Sequence, residues 1–455
     1  MDAIGLLINR VVYPIIIKCV LGTGKRLDYV AWYRKIEHEP LADNMERQRE
    51  RLFDIVDHAV KNIPYYGKVA AKREIVYNRE TIFDDIRKFP VLTKEIIRNH
   101  YDELINTKAV KSYTVNTSGG STGEPVKLLQ NIGYALQDSA EYSDELAGYR
   151  VGDKLVLLWG SERDIFDRTK AFHIRLFNRV VRRTKFMNAF RMTESDMYDF
   201  VRQINRFKPR TILAYVQSVY ELAKFIQEKG LSVYSPHSII VSAGTLFDDF
   251  RETIESVFKC EAYNRYGSRE VGCIAMECER HEGLHVHILN QYLEILTDDG
   301  TPTPLGQEGR IVITNLTNRV MPLIRFDIGD IGSLSSRECS CKRGTPLLRA
   351  VRGRTVYVFK TKSGVKVDGE FFTHLLYEAD FVRKFQFHQT DYDCISVYIE
   401  SPIEDVLDSK ASYFSDMTEK IRLVMGADCR VEYIVTEKIE PSPSGKFIYT
   451  FSDLS

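Results

Sequence analysis

The sequence predicts an α/β fold in which sheets and helices form layers, and two patterns support this prediction. Between residues 154 and 267, short apolar runs alternate with helical stretches, as in a buried sheet covered by helices. From residue 284 to 334 the pattern is β-rich, which predicts a β-rich subdomain. The segment from 353 to 455 mixes strands with helices, so we expect a small α+β domain at the C-terminus.

Length and composition indicate a globular protein of more than one domain. The chain has 455 residues, of which 44% are hydrophobic and 28% charged, and one ordinary core rarely grows to this size. Basic and acidic residues both number 63, so the net charge is zero and we expect no nucleic-acid partner. Eight cysteines are few for this length and suit the reducing cytoplasm.

The first 24 residues are apolar but are interrupted by Asn9, Arg10, Pro14 and Lys18. A membrane-spanning helix needs about 20 nearly uninterrupted apolar residues, so we expect no span here. Two interpretations stay open: a helix on a membrane surface, which would place the protein at the inner face of the membrane, or a helix packed on its own domain. The oligomeric state, a homodimer included, also stays open.

Helices are predicted before the first strands. The apolar spacing in NMERQRERLFDIVDHAVKN predicts a helix that stops at Pro64, and Thr93 is the expected N-cap of a helix in KEIIR. YTVNT and VKLLQ then predict two strands, and a further helix is expected across residues 132–147. Four later runs, KLVLLWG, RTILAYV, HSIIVSAG and AYNRYG, predict the strands of the buried sheet.

A loop rich in glycine and hydroxyl side chains lies between the first two strands. Its lack of a lysine after the last glycine excludes a Walker A loop, and its lack of G-x-G-x-x-G excludes a Rossmann loop. Two interpretations stay open: a flexible loop whose N–H and hydroxyl groups wrap a triphosphate, or a tight hairpin in which glycine only serves the turn. The candidate phosphate-binding residues are Thr117, Ser118, Gly119, Gly120, Ser121, Thr122 and Gly123.

The order of several short stretches is more specific than any one of them. After the glycine loop come SAGTLF, YGSRE, RFDIGD, the pair Gly353 and Arg354, and finally SGK with Lys446. This order resembles the adenylate-forming superfamily of acyl-CoA synthetases, luciferases and peptide-synthetase adenylation domains. HAVKNIPYY, FPVLTKEIIR and FKPRTILAYVQSVYELAKFI are similar to its phenylacetate–CoA ligase-like branch, which includes CapK-type proteins of capsular polysaccharide clusters.

The resemblance covers residues 40–455 and implies a domain organisation and a reaction. Residues 1–352 would form a large adenylation domain, and residues 353–455 a small mobile domain that carries Lys446. A carboxylate would attack the α-phosphorus of ATP, which gives an acyl-adenylate and pyrophosphate. The thiol of coenzyme A or an amine would then displace AMP, in a role that suits capsule or cell-envelope polysaccharide biosynthesis.

The resemblance also implies roles for residues in these stretches. Glu270 would carry Mg²⁺, and Asp330 would accept hydrogen bonds from the ribose hydroxyls. Lys446 would stabilise the charge that develops between carboxylate and α-phosphate, because attack on a polyanion needs positive charge more than covalent help. Arg354 would lie at the hinge and reach ribose or phosphate. The adenosine would lie along Ser242, Ala243, Gly244, Tyr266, Gly267 and Asp330.

One departure from the family pattern concerns the hinge. Relatives usually carry an acidic residue beside the Gly-Arg pair, whereas this chain reads VRGRTVYVF. The second half-reaction therefore stays open between a thioester and an amide product. Trp159, Tyr215 and Gln217 are candidates for the wall of the acid pocket, and the alternative is that the two aromatic residues belong to the core.

Cysteines and histidines cluster in CIAMECERHEGLHVH and ECSCKRG. Clustered cysteine and histidine in a cytoplasmic chain are more often metal ligands than disulfides, and a structural zinc site needs four such donors. GLHV and C-x-C are similar to a pattern in zinc-carrying relatives, which implies Cys278, His285, Cys339 and Cys341 as ligands. The alternative is buried cysteines with solvated histidines.

Two other functions compete with the ligase. One is a non-catalytic nucleotide-binding protein that has kept the fold, but the glycine loop, Glu270 and Lys446 are all present. The other is an enzyme with zinc at its reaction centre. A catalytic zinc keeps an open coordination position for water, and adenylation does not require one.

Overall fold

The computed structural model describes most of the chain. The described residues are 2–16, 25–107, 110, 112–117, 126–131, 142–160, 180–352, 358–376, 379, 381–439 and 449–454. Helices precede, connect and follow the strands. They are α1 (Ala3–Leu7), α2 (Tyr13–Ile15), α3 (Lys25–Ile36), α4 (Leu41–Asn62), α5 (Pro64–Lys72), α6 (Ile82–Asp85), α7 (Lys94–Asn99), α8 (142–146), α9 (Glu194–Phe207), α10 (Val216–Glu228), α11 (Asp248–Phe258), α12 (Gly369–Leu375), α13 (Val406–Ser409) and α14 (Ala411–Met425).

Strands occupy the stretches that the apolar runs predicted, and they confirm the α/β class. They are β1 (Tyr113–Thr117), β2 (Lys127–Asn131), β3 (Leu155–Trp159), β4 (Thr184–Asn188), β5 (Arg191–Met192), β6 (Thr211–Tyr215), β7 (Ser238–Ser242), β8 (Glu261–Ser268), β9 (Gly272–Glu277), β10 (Leu284–Val286), β11 (Gln291–Leu296), β12 (Gly309–Asn315), β13 (Phe326–Leu334), β14 (Leu347–Arg352), β15 (Val358–Lys360), β16 (Lys366–Asp368), β17 (Lys384–Asp391), β18 (Cys394–Glu400), β19 (Arg430–Val435) and β20 (Thr450–Ser452).

One large mixed sheet organises residues 151–352. Its strand order is β11-β12-β13-β14-β10-β9-β8-β7-β6-β3-β4. The half from β4 to β8 is parallel, and the pairing becomes antiparallel at β8 and β9. Every residue of β6 and β7 is buried, because helices cover both faces of a parallel sheet and select continuous apolar runs. The antiparallel half contains the stretch from 284 to 334 that was predicted to be β-rich, and it continues the same sheet.

The chain before the sheet also follows the predictions. The side chain of Thr93 accepts a hydrogen bond from the Ile96 N–H and caps α7. Helix α4 ends at Asn62, and Pro64 then begins α5, because the first helical position needs no N–H partner. Of the helix expected across 132–147, residues 142–146 are helical, and residues 132–141 lie outside the described ranges.

The C-terminal segment forms a sheet of its own, in the order β19-β18-β17-β20, with α14 beside it. Its hairpin β15–β16 pairs with β5 of the large part, where Lys366 lies opposite Met192. The ring centroids of Phe190 and Phe371 are 5.8 Å apart across the same contact. Residues 353–357 lie outside the described ranges. They include the predicted hinge at Gly353 and Arg354, and they directly follow the predicted domain boundary at residue 352.

The N-terminal helix runs through α1, a π-helical turn (Ile8–Val12) and α2. The wide turn precedes Pro14, whose missing N–H and ring disturb a regular α-helix. Ile8 and Tyr13 are buried against Val151 and Val181, so one face of this helix packs on its own domain, as one interpretation held. Among the described residues, no helix is both long and apolar enough to cross a membrane.

Candidate nucleotide site and metal centre

The hairpin of β1 and β2 carries the glycine loop and is fastened to the turn after β8. Its register places Thr117 opposite Lys127, so the loop closes this hairpin. The side-chain amide of Asn116 donates to the Arg269 carbonyl at 3.2 Å. The side-chain amide of Gln130 donates to the same carbonyl at 2.9 Å and to that of Glu270 at 3.2 Å. Hydrogen bonds therefore hold the base of the loop against the YGSRE stretch.

Glu270 is buried and faces a buried lysine. Its Oε1 lies 3.6 Å from Nζ of Lys94, and the two side chains are 3% and 4% exposed. Lys94 is the first residue of α7, which follows a backbone pairing between Leu92 and Phe326 at the start of β13. Tertiary pairing thus brings an ammonium group from the N-terminal part to the predicted Mg²⁺ ligand.

The predicted adenine-binding residues lie where β7 ends beside β8. The Ser242 hydroxyl donates to the carbonyl of Arg265 at 3.0 Å, one residue before Tyr266. Ala243 follows with φ of +56°, a left-handed conformation that costs a residue with a side chain roughly 1–2 kcal/mol. Such backbone strain is common at ligand sites, and the carboxyl ends of parallel strands are where α/β sheets bind ligands.

Tyr266 and Asp330 meet at this edge of the sheet. The Tyr266 hydroxyl donates to Oδ2 of Asp330 at 2.7 Å, although the residues lie 64 positions apart. Gly267 allows the close turn beside them, because a Cβ there would lie 2.7 Å from the Gly272 carbonyl oxygen. In the same RFDIGD stretch, Arg325 is instead structural, since its guanidinium pairs with Glu294 in the core.

Several predicted site residues lie outside the described ranges. They are Ser118, Gly119, Gly120, Ser121, Thr122, Gly123, Arg354 and Lys446. Of the candidates for the acid pocket, Tyr215 is buried, and its ring centroid is 4.0 Å from that of Trp159, which is half-buried. The Gln217 amide donates to Glu221 at 3.1 Å, and Glu221 also pairs with Lys366 of the C-terminal segment.

The four predicted zinc ligands form a cluster. Donor atoms of Cys278, His285, Cys339 and Cys341 all lie within 4.8 Å of one another. Sγ of Cys278 is 3.6 Å from that of Cys339, and Sγ of Cys341 is 3.3 Å from Nε2 of His285. Three sulfurs and one imidazole nitrogen suit zinc, and the sulfur–sulfur distance is too long for a disulfide.

The surroundings of the cluster orient its donors. Nδ1 of His285 is 2.7 Å from the hydroxyl of Thr345, which leaves Nε2 to face the sulfurs. Backbone N–H groups of Arg280 and Arg343 point at the sulfurs of Cys278 and Cys341. Burial lowers the pKa of His285 to about 4, so the ring is neutral at pH 7, and it raises the pKa of Cys278 to about 11 in the absence of a metal.

The cluster also joins distant parts of the chain. The guanidinium of Arg343 contacts Glu37 and Glu279, each at 3.0 Å. The carboxylate of Glu37 accepts the Tyr142 hydroxyl at 2.7 Å, and Gly344 donates its N–H to the Glu37 carbonyl at 2.8 Å. The loop that supplies two cysteines is therefore tied to the turn between α3 and α4 and to α8.

Sequence comparison relates the chain to known proteins over most of its length. Residues 359–453 match the CapK C-terminal domain family. The chain is 23% identical over 418 residues to the protein CapK of Staphylococcus aureus, which covers 90% of each chain. It is 25% identical over 323 residues to the phenylacetate-coenzyme A ligase of Thermus thermophilus, which covers 68% of this chain and 69% of the relative.

The fold matches a solved structure of the same class. An open conformation of 2-hydroxyisobutyryl-CoA ligase, in complex with 2-HIB-AMP and CoA, superposes with a TM-score of 0.59 at 16% identity, covering 92% of this chain and 94% of the other. The chain therefore has the fold of adenylate-forming enzymes. Within that class, its resemblance to the phenylacetate–CoA ligase-like and CapK branch is confirmed.

Some residues of these sites are not indicated by local sequence patterns. Lys94 lies within FPVLTKEIIR, and nothing in its spacing distinguishes a buried lysine from a solvated one on a helix. Asn116 and Gln130 stand in the two predicted strands, where a polar side chain ordinarily indicates the solvent face. Thr345 lies four residues after Cys341. Its closeness to C-x-C in the sequence is the one signal that could have indicated a contact with the cluster.

Proposed function

We propose that the protein is an AMP-forming ligase that activates a carboxylic acid as an acyl-adenylate. The observation that supports it best is the convergence of Tyr266 and Asp330, joined by a hydrogen bond of 2.7 Å. The Ser242 hydroxyl donates a hydrogen bond to the carbonyl of Arg265, before Tyr266 in the chain. Asn116, in the hairpin of β1 and β2, donates one to the carbonyl of Arg269, after it. The stretches that the family resemblance assigned to adenosine thus lie beside the base of the loop that it assigned to phosphate, which supports this proposal.

In this proposal different side chains bind the ribose, the adenine and the phosphates of the nucleotide. Asp330, oriented by the Tyr266 hydroxyl, accepts the ribose hydroxyls, and Ser242 to Gly244 lie along the adenine. Thr117 and the residues up to Gly123 bind the phosphates through N–H and hydroxyl groups. Positioned donors of this kind lower the barrier because they face charge that develops in the transition state.

Glu270 and Lys94 are suited to a magnesium-bound polyphosphate. Mg²⁺ prefers carboxylate and phosphate oxygens, and when bound it would neutralise phosphate charge. Glu270 offers a buried carboxylate, but the Lys94 ammonium lies 3.6 Å away. We infer that the Glu270 carboxylate binds Mg²⁺ and also pairs with the Lys94 ammonium. The Mg²⁺ ion and the ammonium group together would then balance the phosphate charge.

The C-terminal segment supplies the remaining group in this proposal. Lys446 stabilises the charge between the attacking carboxylate and the α-phosphate, and Arg354 lies at the hinge of a mobile domain formed by residues 353–455. In the second half-reaction, coenzyme A or an amine displaces AMP. Similarity to coenzyme A ligases supports the thioester product. The alternative is an amide product, because VRGRTVYVF lacks the acidic residue that relatives usually carry beside the Gly-Arg pair.

The cysteine–histidine cluster is proposed to hold a structural zinc ion. Cys278, His285, Cys339 and Cys341 would be the four ligands, and bound zinc would cross-link the residue after β9, strand β10 and the loop before β14. Four protein donors leave no open position for water, so the site does not favour zinc-dependent catalysis.

We further propose a cytoplasmic role in capsule or cell-envelope polysaccharide biosynthesis. Similarity to CapK extends over 90% of the chain, against 68% for the phenylacetate-coenzyme A ligase of Thermus thermophilus. The match in the C-terminal segment is likewise to the CapK domain. The acid and its acceptor would then be precursors of a polysaccharide modification.

A pyrophosphate-release assay tests the proposed reaction. The purified protein is incubated with ATP and Mg²⁺ and with aryl acids, amino acids, fatty acids or uronic acids, each with and without coenzyme A. We expect release of pyrophosphate and AMP that depends on one class of acid. Release of ADP and phosphate instead, or binding of ATP without turnover across the whole panel, would contradict the proposal and favour a non-catalytic relative.

A further inference from the structure

The N-terminal helix is anchored firmly on one side. Its Ile8 and Tyr13 are buried, and the Asn9 amide donates to the Val151 carbonyl at 2.9 Å. Asp2 caps the helix and pairs with the Arg183 guanidinium through both carboxylate oxygens, at 2.6 and 2.8 Å. The position of the helix on the protein is therefore fixed by contacts that do not involve its other face.

That other face is apolar and exposed. We call it the N-terminal apolar face, and its residues are Ile4 (62% exposed), Leu6 (42%), Leu7 (57%), Val11 (45%) and Ile15 (54%). Scattered surface apolar residues are ordinary, but a contiguous run along successive turns of one helix marks an interaction surface. The anchored side explains why the helix keeps this orientation before anything covers it.

The sequence that contains and follows the N-terminal apolar face carries charges of one sign. Between Ala3 and Leu27 the sequence contains Arg10, Lys18, Lys25 and Arg26 and no acidic residue. Arg10 is exposed, and the neighbouring Asp2 is neutralised by Arg183. The chain as a whole has zero net charge, so this cationic segment is a local feature.

We propose that the N-terminal apolar face binds the surface of an anionic lipid membrane. Exposed apolar side chains flanked by basic residues are what a helix in the headgroup region requires, because it gains apolar burial and attraction to acidic lipids together. Residues 2–16 span about 20 Å as a helix, against about 30 Å of hydrocarbon, so the helix lies in the plane of the surface.

A second copy of the chain fits this face less well than lipid does. Two such faces would bring Arg10 toward Arg10 of the second copy, and like charges in contact oppose association. An anionic headgroup layer complements the same charges. The proposal is independent of the ligase function, because it rests on the helix alone.

Sedimentation with lipid vesicles tests the proposal with the full-length protein. The probes are vesicles of 30% phosphatidylglycerol in phosphatidylcholine and vesicles of phosphatidylcholine alone. We expect the protein to sediment with the anionic vesicles at about 0.1 M salt and to be released as salt rises, since screening weakens this attraction. Leu7→Glu combined with Val11→Glu should lower the partition coefficient at least about tenfold, and Arg10→Gln about fivefold.

A matched variant controls for the added charge. Val76→Glu with Leu423→Glu changes two exposed apolar side chains elsewhere, 74% and 53% exposed, and should bind vesicles as the wild type does. Thermal unfolding of each variant establishes that the body is folded. The proposal is overturned if the wild type does not sediment with anionic vesicles, or if the Leu7 and Val11 variant binds them as well as the wild type does. It is also overturned if the only effect of that variant is to dissociate a dimer that the wild type forms.

Discussion

The hydroxyl of Tyr266 donates a hydrogen bond to Oδ2 of Asp330 at 2.7 Å, which joins the end of β8 to β13. The hydrogen bond orients the carboxylate, and the several acceptor positions of a carboxylate suit the two hydroxyls of a ribose. This relationship gives the proposed nucleotide site a residue whose role can be measured.

Replacement of Asp330 by alanine should raise the KM for ATP. Hydrogen bonds to a charged group contribute about 1.5–3 kcal/mol, which corresponds to a rise of roughly ten- to a hundredfold. The matched control is Asp327→Asn on the same strand, because Asp327 pairs with Arg310 instead. Steady-state kinetics of both variants would contradict the assignment if Asp330→Ala left the KM for ATP unchanged or if both variants raised it equally.

The buried pair of Lys94 and Glu270 should be strongly coupled in stability. Either Lys94→Met or Glu270→Gln removes one charge and leaves the other buried, which should cost about 3–5 kcal/mol of unfolding free energy. The double variant should cost less than the sum of the two. Urea unfolding measures all three, and simple additivity would show that the two groups do not interact.

The same variants separate structure from metal use. Glu270→Gln should weaken the dependence of pyrophosphate release on Mg²⁺ because a neutral amide binds the ion poorly. The Mg²⁺ titration is run at a temperature where the variant is folded. An unchanged titration curve would remove Glu270 from the proposed metal site, whatever its effect on stability.

Lys446→Ala should abolish adenylation and leave the protein folded. Loss of one donor to transition-state charge typically lowers kcat about 10²–10³-fold. Lys420→Ala is the control, since Lys420 pairs with Asp416 on the surface of α14 and should be dispensable. Normal turnover by Lys446→Ala would refute its proposed role, and circular dichroism spectra would show whether both proteins are folded.

Removal of two of the proposed zinc ligands should destabilise the protein. Cys339→Ser with Cys341→Ser should lower the Tm and bring the zinc content from one per chain to near zero, because binding free energy of a structural metal is folding free energy. Cys260→Ser, which lies outside the cluster, should change neither. Elemental analysis measures the zinc content per chain, and calorimetry measures the Tm.

Chelation provides an independent check of the metal centre. A wild type that is free of zinc as purified and keeps its Tm in chelator would exclude a structural ion at this cluster. Pyrophosphate release in Mg²⁺ buffer stripped of zinc, measured below the unfolding temperature, should persist. Its complete loss in folded protein would favour a catalytic zinc.

Local sequence patterns determined much of this protein. Continuous apolar runs predicted β3, β6 and β7, because a strand buried on both faces leaves no choice of residue type. The N-cap at Thr93 and the new helix at Pro64 follow from hydrogen-bonding needs of the adjacent backbone. The cluster of Cys278, His285, Cys339 and Cys341 was predicted from residue type and spacing together with the family resemblance.

Tertiary structure alone decided which distant groups meet. Lys94 reaches Glu270 because the chain at Leu92 pairs with β13, and Tyr266 reaches Asp330 because β8 and β13 belong to one sheet. Sequence periodicity reports which face of an element is apolar, but it contains no information on the element opposite. The buried lysine was therefore beyond prediction, and the sequence left open whether the N-terminal helix packs on its own domain, because burial and exposure depend on partners far away in the chain.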